Sequence, residues 1–327
     1  MEVSSLPDLV AERTTDGLVE ALGNLIKRGV ISPGERLPTV RAVAGALGMG
    51  LATVSSAWGR LIEAGMIETR GRAGSFVPQV EHRTAARFFR YSRRGDFHLD
   101  LSTGLPDPDL LPSPARALAA AGELPHPSSY VADPVVPALE EQIRAVLPFP
   151  VPSVTVVDGA LDALDRLLGL WVRLGDRVAV EDPGFPPIFD LVDAHRGQSV
   201  AVDTDREGMM PDSLARALAT RPVVVVIQPR AQNPTGVSLS DVRARELAEV
   251  LEAQRDVWVI EDDHSGAISS RPLVSLAPLL PGRVVHITSF SKSHGPDFRL
   301  AGVGGPRVVL DRLVDRRRLG PAWSPRL

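Results

Sequence analysis

The 327-residue sequence contains no cysteine, which excludes disulfides, zinc-cysteine sites and thiol catalysis. It also lacks any run approaching about 18 apolar residues, so no membrane-spanning helix is expected. The opening MEVSSLPDLVAERTTDG has neither a basic start nor an apolar stretch and does not read as a signal peptide. A soluble cytoplasmic protein without a metal site is the resulting expectation.

What is there is ordinary globular composition, 44% hydrophobic and 23% charged, in a length that suits two domains. The net charge of −4 is spread unevenly. From Lys27 to Arg94, twelve Lys and Arg stand against four Asp and Glu, a balance of +8, so the other residues carry −12. A basic segment on an acidic chain suits a polyanionic partner, although a solvated surface has the same composition.

Leu9, Leu18, Leu22, Leu25 and Ile26 recur at helical spacing, and Gly29 supplies a stop. Pro33-Gly34 is turn chemistry, and a second helix is expected from about Pro38 to Leu47. After the short Gly48-Met49-Gly50 connection, a third helix from Ala52 to Ala64 would bury Val54, Trp58 and Leu61. Two short strands are expected around the Gly71–Gly74 turn. Three helices and a hairpin describe a winged helix-turn-helix.

The run PGERLPTVRAVAGALGMGLATVSSAWGRLIEAGMIETRGRAGSFV resembles the DNA-binding domain of GntR-type bacterial regulators over nearly its whole length. The resemblance implies that the third helix enters the major groove. Arg41, Thr53 and Ser55 would then face DNA, with Arg72 reaching from the wing. An arginine suits this role because its fork grips phosphate or the guanine edge. Many relatives carry an Arg where this chain has Leu51-Ala52, which removes a contact. Residues 79–98 hold five arginines without a helix or strand period and read as a basic linker.

Beyond residue 98 the pattern changes. VTVV, RVAVED, SVAVD, PVVVVI, VWVIEDD and VVHITS are short apolar strands, several separated by helical stretches, which argues for an α/β fold with a mostly parallel sheet. Such a sheet binds ligands at the carboxyl ends of its strands. Gly159-Ala160, Asn233-Pro-Thr-Gly, Asp262 and Lys292 all follow or end strands. In this order, with DLSTGLPDPDLLP and EDPGFP, they resemble the large domain of fold type I pyridoxal-phosphate enzymes, the aminotransferase class.

The resemblance implies roles residue by residue. Lys292 in SFSKSHGPDFRLAGVGG would be the Schiff-base lysine, flanked by Ser289, Ser291 and Arg299. Arg299 and Ser289 would hold the cofactor phosphate, together with the helix-opening amides of Gly159, Ala160 and Leu161. Asp262 would pair with the pyridine nitrogen, although Glu261 and Asp263 leave the register open by one. Asn233 would donate to the ring hydroxyl oxygen, and Phe185 would either stack on the ring or pack in the core. Tyr130 would reach the phosphate of a partner subunit. His264 stands where the family has a tyrosine, an imidazole in place of a phenol.

The family's large domain is followed by a small one that supplies an arginine for the substrate carboxylate. This sequence stops at DRRRLGPAWSPRL, so transaminase activity is not expected. The domains are read as 1–78, a winged helix-turn-helix; 79–98, the linker; and 99–327, an aminotransferase-like domain without its C-terminal part. The fusion resembles the MocR subgroup of GntR regulators. That implies a homodimer that binds operator DNA and senses pyridoxal phosphate or an amino-containing effector. An aminotransferase carrying a DNA-binding domain, and a degenerate regulator that binds DNA without a cofactor response, are the alternatives.

Overall fold

The computed structural model describes residues 6–10, 12–78, 104–123 and 134–322. Tyr130, most of the 79–98 linker's neighbourhood and the linker itself lie outside them, as does the side chain of Arg72. The chain divides into two compact units, 1–85 and 86–327.

The first unit has helices α1 (Leu6–Leu9), α2 (Thr15–Lys27), α3 (Val40–Leu47) and α4 (Leu51–Glu63), then strands β1 (Glu68–Thr69) and β2 (Ser75–Phe76). Thr14 caps α2 by accepting from the Gly17 amide at 3.0 Å, and Thr39 caps α3 by accepting from Ala42 at 3.2 Å. The second helix thus starts at Val40, with Pro38 just before its cap, and ends at Leu47. Gly48 ends α3 at φ 63°, a left-handed turn that glycine adopts without strain. Leu18, Leu22, Val43, Leu47, Val54, Trp58 and Leu61 are buried, one stripe from each helix. An ion pair between Arg60 and Asp16 ties α4 to α2 on the outside. β1 and β2 pair antiparallel, with Glu68 opposite Phe76, and form the wing.

In the second unit the helices are α5 (Pro114–Ala121), α6 (Pro137–Val146), α7 (Ala160–Trp171), α8 (Pro186–Ala194), α9 (Pro211–Leu218), α10 (Asp241–Glu252) and α11 (Arg307–Arg318). The strands are β3 (Ser153–Val157), β4 (Arg177–Asp182), β5 (Gln198–Asp205), β6 (Gly208–Met209), β7 (Val224–Ile227), β8 (Trp258–Asp263), β9 (Val284–Ser289) and β10 (Ala301–Gly305). They form one sheet in the order β3-β10-β9-β8-β7-β4-β5-β6. β10 and β6 run opposite to the rest, so β3, β9, β8, β7, β4 and β5 point their carboxyl ends the same way.

Alternation along the strands feeds two cores. Val224 and Val226 pack with Leu164, Leu167, Val192 and Leu313 on one face. Val225 and Ile227 pack with Leu214, Leu247 and Leu251 on the other. Each such side chain contributes about 1.5–3 kcal/mol when fully buried, so a charge at Val226 would unfold the unit rather than perturb it. β10 is the strand that apolar patterning misses. Its sequence AGVGG owes its place to glycine, because a Cβ on Gly302 would meet Ile143 of α6 at 3.0 Å. Among the described residues, no helix is long and apolar enough to cross a membrane.

Candidate cofactor site and DNA-binding face

The carboxyl ends of β3, β4, β7, β8 and β9 gather the polar residues of the second unit. β8 ends in three consecutive carboxylates, and strand alternation separates them. Glu261 accepts from Ser275 Oγ at 2.7 Å and from the Leu276 amide at 2.6 Å, and its Oε2 lies 2.8 Å from His286 Nδ1. Asp263 takes a bidentate pair from Arg230, at 3.0 and 2.7 Å. Burial is the largest single influence and pushes the Asp263 carboxyl up, but the Arg230 pair, the nearby His286 and the Gly266 amide together hold the group below its ordinary range.

Asp262 differs from both neighbours. It is fully buried, its Oδ2 accepts from Gln228 Nε2 at 2.9 Å, and its Oδ1 has no partner among the described residues. Burial pushes its carboxyl up, opposed by the nearby His264 and by the Gln228 bond. A buried carboxylate oxygen without a donor costs about 1–3 kcal/mol, so its chemistry fits a cationic or donating group. Of the three carboxylates, Glu261 and Asp263 already have protein donors on their oxygens, and Asp262 alone keeps a buried oxygen without one.

Gln228 was not singled out by sequence, yet its amide and both polar atoms of its side chain are engaged. Its amide donates to Glu181 Oε2 at 2.9 Å, its side chain donates to Asp262, and its Oε1 accepts from the Asn233 amide at 2.8 Å. It therefore links β4, β7, β8 and the Asn233 turn, where the Asn233–Pro234 bond is cis. Glu181 is buried, and desolvation raises its pKa to about 8, against the Gln228 bond that lowers it. The acid form predominates at neutral pH, which keeps a second negative charge away from Asp262.

Lys292 follows β9 and is half-buried; its Nζ donates to the Gly104 carbonyl. Burial pushes its ammonium pKa down, which raises the fraction of neutral, nucleophilic amine. Ser289 is buried at the end of β9, and its Oγ accepts from the Ser291 amide at 3.3 Å. His264 Nε2 lies 2.8 Å from the Ala231 carbonyl oxygen. A proton on Nε2 leaves Nδ1 an acceptor, so a donor role for His264 toward a ring oxygen requires the imidazolium.

The loop after β3 forms a cradle. Gly159 stands at φ 108°, and a Cβ there would lie 2.6 Å from Arg299 Nη2, so only glycine admits the guanidinium. Arg299, itself left-handed at φ 44°, donates to the Asp158 carbonyl at 3.2 Å. The Ala301–Val157 pairing of β10 with β3 brings these segments together. Gly159 caps α7 without a side-chain acceptor, so the first amides, those of Ala160 and Leu161, point outward from a helix N-terminus. Phe185 caps α8 and packs against the core around Val157 and Ile188, half-buried.

In the first unit, α4 opens at Gly50 with no side-chain cap. Arg41 on α3 and Ser55 on α4 are exposed, and Thr53 is half-buried. Leu51, the first residue of α4, is 53% exposed.

Residues 14–77 match the bacterial regulatory proteins of the gntR family, and residues 98–325 match aminotransferase class I and II. The chain is 34% identical over 325 residues to the vitamin B6 salvage pathway transcriptional repressor PtsJ of Salmonella typhimurium, covering 98% of this chain and 74% of that one. It is 27% identical to the pyridoxine biosynthesis transcriptional regulator PdxR of Corynebacterium glutamicum, covering 84% of this chain and 62% of the relative. The fold also matches the α-aminoadipate aminotransferase LysN of Thermus thermophilus, with a TM-score of 0.60 at 24% identity. That match covers 68% of this chain and 60% of LysN. The second unit thus has the fold of the type I pyridoxal-phosphate transferases, a family that depends on that cofactor. The chain belongs to the MocR-type branch of the gntR family, transcription regulators that join a winged helix-turn-helix to an aminotransferase-like domain.

Proposed function

We propose that this chain regulates transcription by binding DNA through its winged helix while its second unit holds pyridoxal phosphate as a sensed cofactor. The observation that carries the reading is Asp262, whose Oδ1 is buried without a partner in a site where Glu261 and Asp263 are fully engaged. Such an oxygen fits a protonated pyridine nitrogen. The cradle of Gly159, Ala160, Leu161 and Arg299 fits a phosphate, and Lys292 offers an amine of lowered pKa. Pyridoxal phosphate, when bound, supplies an aldehyde that amines attack and a ring that draws electrons.

The chain's own residues then have distinct tasks. Lys292 presents the amine, Asp262 holds a proton on the ring nitrogen, and Ser289 and Arg299 anchor the phosphate. Asn233 and His264 face the ring hydroxyl, and Phe185 covers a ring face. Arg41, Thr53, Ser55 and Arg72 contact the operator. A homodimer would place two winged helices on paired half-sites, and a small amine competing with Lys292 would be the effector. The names of PtsJ and PdxR, both tied to vitamin B6, support this choice of ligand.

Titration of pyridoxal phosphate into the full chain, followed by absorbance, tests the cofactor half. A saturable band near the visible edge is expected in the wild type and lost in Lys292→Ala. No spectral change in the wild type would refute it.

A further inference from the structure

We propose that Arg317 is a positioning residue of the phosphate cradle, neutralising Asp158 from below so that the Asp158–Leu161 loop accepts a dianion. This rests on the pyridoxal-phosphate reading above. The cradle is acidic for an anion site: Asp158 precedes Gly159, and Asp162 lies in the first turn of α7. Two uncompensated carboxylates would repel a phosphate and cancel much of what the helix amides and Arg299 contribute.

Both carboxylates are compensated, each in its own way. Asp162 pairs with Arg166 one helical turn on, at 2.8 Å, and its Oδ2 also accepts from the Asp158 amide at 3.1 Å. Asp158 pairs with Arg317 from the last turn of α11, whose Nη2 lies 3.1 and 3.3 Å from the two carboxylate oxygens. The Arg317 side chain is 1% exposed, and its Nη1 donates to the Val156 carbonyl at 2.5 Å. A guanidinium that deep is costly unless paired. Its position fixes both the end of β3 and the charge of the loop that follows. Asp158 in turn offers its carbonyl to Arg299, so a single loop residue joins the buried arginine to the exposed one.

An anchor that merely holds α11 in place would matter equally for any ligand. A charge brace would matter only for a ligand that carries the phosphate. Pyridoxal phosphate and pyridoxal, which lacks the phosphate, are therefore titrated into the full chain and read by absorbance. Arg317→Met should weaken pyridoxal phosphate binding by about tenfold or more, the size of one full charge effect, and change pyridoxal binding by less than about twofold. Adding Asp158→Asn should restore pyridoxal phosphate binding to within about threefold of wild type. Equal losses for both aldehydes, or no restoration by Asp158→Asn, overturns the proposal. If Arg317→Met alone does not fold, the double variant decides, since a tenfold loss of pyridoxal phosphate in it overturns the brace and near-wild-type binding supports it. A wild type that binds neither aldehyde fails the cofactor reading itself, a distinct result.

Discussion

Glu181→Gln removes one titratable group while keeping its shape, and its effect on stability should depend strongly on pH. In the native state burial raises the Glu181 pKa from 4.5 to about 8. The native state therefore holds a proton that the unfolded state has released. Stability from this group is complete below the unfolded pKa and is lost as pH rises toward 8 and through it. Ionisation of a buried group with such a shift costs about 5 kcal/mol at its ceiling, and about 3 kcal/mol of that falls between pH 6 and pH 9. Glutamine carries no such penalty, and its carbonyl can still accept from the Gln228 amide. Urea unfolding at pH 6, 7, 8 and 9, followed by tryptophan fluorescence, reads the effect through the stacked Trp171–Trp258 pair. The variant should gain about 3 kcal/mol on the wild type across that range. A difference that stays constant to within about 0.5 kcal/mol would mean Glu181 is ionised or solvated at neutral pH, and the shielding of Asp262 would have no basis.

Three other outcomes are expected. Gln228→Leu strips partners from Asp262 Oδ2 and the Asn233 amide, so it should cost roughly 2–4 kcal/mol in urea unfolding; a loss under about 1 kcal/mol would show that the bridge is dispensable. Because burial lowers the Lys292 pKa, pyridoxal phosphate affinity should rise with pH and level off earlier than for an exposed lysine; a flat profile from about pH 6 to 9 contradicts this. DNA affinity should fall steeply with salt, and Arg41→Ala should reduce the log–log slope by about 1. An unchanged slope would remove Arg41 from the phosphate contacts.

The winged helix was legible because its signals are local. Threonine caps, Gly48 and the stripe of Val54, Trp58 and Leu61 all act within a few residues. Boundaries slipped only slightly: α4 begins at Leu51, since Gly50 already has extended geometry. In the second unit the six strands rich in Val and Ile were legible, whereas AGVGG was not, because its glycines answer to α6 more than 150 residues earlier. Motif residues such as Lys292, Asp262 and Arg299 could be named from their order. Gln228, Glu181 and Arg317 could not, because Gln228 lies 47 residues from Glu181 and 34 from Asp262, and Arg317 lies 159 from Asp158, so they meet only through sheet order and register. Strand alternation did hold a usable signal at Glu261-Asp262-Asp263, since it puts the middle carboxylate alone on one face.

Cofactor occupancy and DNA affinity are proposed to be coupled within one molecule. A duplex recovered by the full chain from a random-core DNA pool, labelled and titrated by anisotropy with and without saturating pyridoxal phosphate, tests it directly. A change of about fivefold or more is expected in the wild type, and none in Lys292→Ala. Equal wild-type affinities under both conditions would contradict it.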